Sequence, residues 1–286
     1  MNADDFGLSA GVNAGILSCF HNGILRSTSL MPNGAAFEDA VRLARQTPGL
    51  GVGVHLSLVG EPCVAPRREL GGLADADGML PASYAAFARG YFSRRFTQRE
   101  IQREVAAQMR RVLQAGIRPT HLDSHQHVHL MPGVFGLALQ AAQEAGIQVI
   151  RVPHERARHQ AGLAEPSGLA QRLSTRGLQL NVLSMLSRRA RRQARAARLR
   201  VAPRFWGLSE SGALDEAALL PILARLGRGV NELMSHPGFS DEALRRKYLW
   251  GYRWDAEAAA LQSPAARQMV EERGIRLAHF GQAWGS

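Results

Sequence analysis

From end to end the chain alternates short runs suited to strands with longer runs of helical period, and that order admits few folds. "RSTSLMPNG", "LGVGVHLSL", "RPTHLD", "GIQVIRV", "PRFWGL", "VNELMSH" and "GIRLAHF" read as strands, mostly with a helical stretch between them. Between Ser9 and Gly23 the apolar residues Val12, Ile16 and Phe20 form one stripe, with Ser9 placed to cap the first turn and Gly23 to end the helix. "TQREIQREVAAQMRRVLQAG" repeats the design: Thr97 and Glu100 stand at capping-box spacing, Ile101, Val105, Met109, Val112 and Leu113 make the apolar face, and Gly116 follows. Roughly seven or eight strand–helix units predict an α/β fold, a distorted TIM-like barrel of parallel strands. With 286 residues, 45% of them apolar, the chain can bury such a core as a single domain spanning residues 1–286. Residues 60–83 read as an irregular insertion and residues 177–200 as a basic helical one.

In such a barrel the chemistry gathers at the carboxyl ends of the strands. "NADD" closes the first strand, "GVHL" the third, "THLDSHQHVH" the fourth and "LMSH" a late one. Asp4 and Asp5 point opposite ways if the strand persists, so one can bind a cation while the other takes a proton from water; the pair suits a helix-entry cap equally. His55, after alternating valines and glycines, fits a ligand or a buried ring bonded to a carbonyl. The window His121–Leu130 holds four of the ten histidines. In extended chain His121, Asp123, His125, His127 and His129 share one side, from which two or three could reach one ion. Imidazole and carboxylate suit zinc and related divalent ions, and Asp123 is placed to orient a ligating ring.

Cys19 and Cys63 leave no room for a disulfide framework and point to a reducing compartment, with the cytoplasm expected. No run approaches the roughly 18 to 20 apolar residues of a spanning helix, and the start "MNADDFGLS" lacks a signal-peptide pattern. Between Arg151 and Arg204 there are 13 arginines and only Glu155 and Glu165 as acids, so the whole net charge of +11 sits there. Its densest part, "RRARRQARAARLR", follows "GLQLNVLSMLS", in which Leu178, Val182, Met185 and Leu186 recur at helical spacing. Clustered arginine also suits phosphate-backbone binding, and His-x-His segments occur in metal phosphoesterases. The block lacks interleaved aromatics, however, and no helix-turn-helix or zinc-finger spacing appears, so no nucleic-acid partner is expected.

"NADDFGLS", "STSLMPNGAAFEDAV", "GVGVHLSLV", "PTHLDSHQHVHLMPGVF" and "SHPGF" resemble, in order and spacing, the YdjC-like carbohydrate deacetylases. The resemblance implies metal-dependent removal of an N-acetyl group from an amino sugar. It implies Asp5, His55 and His125 as ligands of a divalent ion, zinc preferred, with manganese, cobalt, nickel or magnesium as alternatives. It makes Asp4 the general base and His236 the general acid, with His127, His129 and Arg151 orienting ligands or facing substrate. Members of the family carry a few apolar residues ahead of "NADD", so either a shortened first strand or a chain lacking its natural start is expected. The frame "GILRSTSLMPNGAAFEDAVRLARQTPGLGVGVHLSLV", the arginine-rich insertion and "FWGLSESGAL" look most like the hopanoid-biosynthesis-associated branch, which implies an acetylglucosaminyl hopanoid as substrate; soluble chitooligosaccharides are the alternative. A sugar on a polycyclic lipid stays in the bilayer. Arg188, Arg189, Arg191, Arg192 and Arg195 are therefore expected to meet an anionic membrane surface, with the enzyme peripheral at the inner membrane.

Overall fold

The computed structural model describes residues 1–154 and 175–284, with backbone alone for residues 175–183 and 243. Six parallel strands, β1 (Asn2–Phe6), β2 (Ser27–Leu30), β3 (Gly51–Leu56), β4 (Leu122–Ser124), β5 (Arg204–Trp206) and β6 (Asn231–Ser235), lie in the order β4-β3-β2-β1-β6-β5 and curl into a half-barrel. The helices are α1 (Ala10–Asn22), α2 (Phe37–Gln46), α3 (Tyr84–Phe92), α4 (Gln98–Gln114), α5 (Val134–Glu144), α6 (Thr175–Ala196), α7 (Glu216–Arg225), α8 (Glu242–Lys247), α9 (Trp254–Gln262) and α10 (Pro264–Glu272). Every residue of β1, β2, β3 and β4 is buried, as strands covered on both faces must be. The capping residues act as the sequence suggests: Ser9 Oγ accepts from Val12 N, and the Glu100 carboxylate accepts from Thr97 N.

Among the described residues six strands replace the seven or eight expected, and two of the expected segments have identifiable fates. "GIQVIRV" makes only isolated parallel bridges, Leu122 to Ile150 and Val149 to Arg200, before Pro153 ends any ladder. Because Arg200 stands just ahead of β5, those bridges join the two edges of the sheet. "GIRLAHF" forms no strand. It crosses the amino ends of β3 and β4, where His279 packs on Gly51 and Phe280 stacks on His121 at 3.9 Å between centroids.

The insertion at residues 60–83 is irregular, with one 3-10 turn (Arg67–Glu69) and an antiparallel bridge between Pro62 and Met79. Buried Glu104 on α4 holds it by accepting from Val64 N and Ala65 N, and Asn33 donates to the Pro62 carbonyl. In the basic segment, Leu186 is buried and Met185 exposed, while the side chains of Leu178 and Val182 lie outside the described residues. Arg188, Arg189, Arg192 and Arg195 are exposed. Arg191 is half-buried, and its guanidinium donates to the Ala202 carbonyl. No helix among the described residues is long and apolar enough to cross a membrane.

Candidate active site

Parallel pairing sets His55 opposite Asp123 across β3 and β4, and a register shift between Ala3 and Phe6 turns the end of β1 toward them. At that shift Asp5 takes the left-handed conformation, φ 66°, which is uncommon for a residue with a Cβ. Its carboxylate Oδ1 then lies 3.1 Å from His125 Nδ1 and 3.3 Å from His55 Nε2. One ligand atom from each of the three side chains falls within 4.8 Å of the other two, and all three residues are buried.

The electrostatics of this cluster call for positive charge. Burial works against an ionised Asp5, but His125 and His55 outweigh it and hold its carboxyl well below the usual range. Burial likewise disfavours charge on His55, yet Asp123 and Asp5 overcome it and push the ring up to about 10. Asp5 Oδ2 is buried without a hydrogen-bond partner in the protein. One carboxylate with a spare oxygen and two imidazoles fit a divalent cation by number, type and spacing. A second set, Asp4, His55 and Asp123, has similar spacing, but both of its carboxylates already bind Arg151 Nη1, at 2.6 and 2.9 Å.

Asp123 anchors the cluster. Its Oδ1 accepts from His55 Nδ1 at 2.8 Å, and its Oδ2 accepts from Ser29 Oγ and Arg151. That leaves His55 Nε2 facing Asp5, the arrangement by which a carboxylate orients a ligating histidine. Asp4 is held by different partners from Asp5: Oδ2 binds Arg151 and Oδ1 accepts from Asn2 Nδ2 at 2.8 Å. Arg151 is fully buried and also donates through Nε to Glu232, so one guanidinium ties β1, β4 and β6 together. Burial pushes the Glu232 carboxyl up to about 7, even against the pull of Arg151.

The other histidines separate. The chain leaves the extended conformation after Ser124 and enters a 3-10 turn, His125–Leu130, with Gln126 and His127 at φ 50° and 53°. The single shared side expected for His121 to His129 is therefore lost. His129 is fully buried, donates through Nε2 to the Arg151 carbonyl at 2.9 Å and meets Ser124 Oγ through Nδ1. It braces Arg151 through that carbonyl. His127 is half-buried beside the Phe205 ring, its Nδ1 unpartnered, and burial and Arg151 hold its pKa well below the ordinary value. His121 sits at the amino end of β4, against Ser29 and Phe280.

His236 follows β6, with its backbone N donating to buried Glu257 and its Nδ1 buried and unpartnered. Its ring reaches the cluster through a ladder of aromatics: Tyr252 at 4.8 Å, then Trp250 at 5.4 Å from Tyr252, then His125 at 5.0 Å from Trp250. The sequence reading missed this ladder, together with Asn2, Ser29 and Glu232. A signal existed, because "YLWGYRW" places aromatics at every second residue in a chain only 6% aromatic.

The profile of the YdjC-like protein family matches residues 1–272. The chain belongs to that family. Among YdjC-like relatives, a carbohydrate deacetylase of Geobacillus stearothermophilus is 31% identical over 97% of this chain and 94% of its own length. Chitooligosaccharide deacetylases of Enterobacter sp. strain 638 and Salmonella typhimurium are 32% and 33% identical, each over 98% of this chain and 96% of their own. A crystal structure from Enterococcus faecalis, of a protein assigned to cellobiose-phosphate cleavage, superposes with a TM-score of 0.72 at 25% identity, covering 98% of this chain and 95% of that one. The family match spans every segment that contributes to the cluster.

Proposed function

We propose that this protein hydrolyses the N-acetyl group of an amino sugar, with a divalent cation held by Asp5, His55 and His125. The observation that carries this reading is the buried three-residue cluster, with Asp4 beside it, in a chain similar over nearly its whole length to carbohydrate deacetylases. The donor set favours zinc, then manganese, cobalt or nickel, with magnesium less suited. Bound there, such a cation supplies Lewis-acid chemistry, polarising an acetyl carbonyl and making water acidic enough to attack near neutral pH.

The chain's own residues perform the proton work. Asp4, aimed by its bonds from Arg151 and Asn2, accepts the proton of the attacking water. Asp123 fixes the His55 ring. His236 donates a proton to the departing nitrogen, since an amide nitrogen does not leave as an anion. A C–O bond forms as the C–N bond breaks, giving acetate and a free amine. Acetate release from N-acetylglucosamine compounds tests the reading against a generic phosphodiester; phosphodiester turnover without acetate would make the protein a phosphoesterase.

As the particular substrate we propose acetylglucosaminyl hopanoid, giving glucosaminyl hopanoid and acetate at the inner membrane surface. The segments that resemble the hopanoid-associated branch support it. Mass spectrometry of lipid extract incubated with the protein should show one acetyl replaced by hydrogen on the glycolipid. Loss confined to soluble chitooligosaccharides would favour the sugar-oligomer reading instead.

A further inference from the structure

Beside the cluster opens a cleft of about 600 Å³, which reaches it at Trp250, the ring that packs on His125. Its rim is unusual in two ways. The two most exposed large apolar side chains among the described residues, Leu249 at 86% and Phe92 at 69%, both stand there. Leu249 falls between Tyr248 and Trp250, and Phe92 between Gly90 and Ser93, all four of which line the cleft. The rim is also cationic on balance: Arg89, Arg94 and Arg95 are exposed, Lys247 lines the cleft, no acid occurs from Gly78 to Arg99, and Asp75 is the one acid among the lining residues.

Leu249 is held out by fixed neighbours. Lys247 Nζ and Tyr248 Oη both donate to buried Glu61, and Trp250 packs on Tyr248 at 4.6 Å. An apolar tip presented this way, with arginines in excess over acids nearby, has the composition of an interfacial anchor. The arginines of α6 are placed differently. Ser187 bonds the Pro153 carbonyl at the carboxyl end of the barrel, whereas the Arg200 backbone pairs with Gln148 and Ile150 at the amino end. The block thus descends the flank, away from the cleft.

We propose that the cleft rim, through Leu249, Phe92 and Arg94, docks this protein on an anionic bilayer surface, with the cleft facing the lipid. This deepens the lipid-substrate reading, and vesicle partitioning is measured with no substrate present, so the two fail separately. The full chain should sediment with phosphatidylglycerol-containing vesicles at low salt and much less with pure phosphatidylcholine. Phe92→Ser with Leu249→Ser should cut that partitioning about tenfold or more, while acetate release from a soluble N-acetylglucosamine oligomer persists as the check on folding. Leu249→Trp, which keeps an apolar anchor, should partition at least as well as wild type. Wild-type partitioning by the double serine variant, equal partitioning to both vesicle types or none, or loss caused equally by Arg188→Gln with Arg192→Gln would overturn the proposal. A double variant that turns a dimer into a monomer without vesicles would overturn it too, since a second copy would then own the patch.

Discussion

Asp123 stands between two buried imidazoles, one toward the carboxyl end of the barrel and one at the amino end, and it treats them oppositely. His55 meets Oδ1 at 2.8 Å and is pushed up to about 10. His121 lies 3.8 Å from Oδ2, which Ser29 and Arg151 already occupy; burial takes its pKa down to about 3. Both rings are buried and both lie near the same carboxylate. A direct hydrogen bond, rather than mere nearness to charge, separates a ring poised beside a cation site from an inert one packed under Phe280.

The sharpest way to break this contrast is to remove the carboxyl-end cluster. Asp5→Asn, His55→Ala and His125→Ala should each lose bound metal by elemental analysis, with deacetylation falling on the order of a thousandfold. Asp4→Asn should retain metal and lose activity by at least about a hundredfold. A metal-free Asp4→Asn protein would make Asp4 a ligand. Next in size comes Asp123→Asn, which leaves Arg151 and His55 short of a partner; urea denaturation should show a loss of about 3–5 kcal/mol. An unchanged midpoint would mean that Asp4 and Glu232 suffice for the guanidinium.

His236→Ala sharpens the division of labour at the carboxyl end. It should slow acetamide hydrolysis about a hundredfold and spare an activated ester, whose leaving group needs no proton. Equal losses would reduce His236 to a turn residue bonded to Glu257. The effect at the amino end is small per pH unit and accumulates as the solution is acidified. His121 stays neutral in the folded protein down to about 3, whereas the unfolded chain protonates it near 6.5, so between those values the unfolded state binds more protons. Stability should therefore fall as pH drops from about 6.5 toward 3, by roughly 1 kcal/mol per pH unit for a single such group. His121→Gln should flatten that limb; an unaltered acid profile would show that the ring titrates normally.

How far the sequence was readable follows from the range of the interactions involved. Strands β1 to β4 and the caps at Ser9 and Thr97 were legible because local pattern determines them, whereas the trio Asp5, His55 and His125 came from the family resemblance, since strand-end position alone left both aspartates and several histidines open. The Arg151 hub was not, since its partners stand at positions 4, 123 and 232 and none marks the others. The histidine run misled because Gln126 and His127 adopt left-handed backbone without glycine to announce it. "GIRLAHF" has strand composition, but its place is set by His121 and Gly51, far away in the chain.

Where the two edges of the sheet meet, a pair of isolated bridges at Leu122, Val149, Ile150 and Arg200 does what a full ladder does elsewhere. That junction is a seam with few backbone bonds to lose, and in amide exchange Ile150 and Arg200 should open well before the centre of β2 or β3. Arg151 lies directly beside it, bonded to carboxylates on β1, β4 and β6. The barrel is in this sense riveted by charge at the point where it is least woven, so a breathing motion of the seam would be felt at once by Asp4 and Asp123.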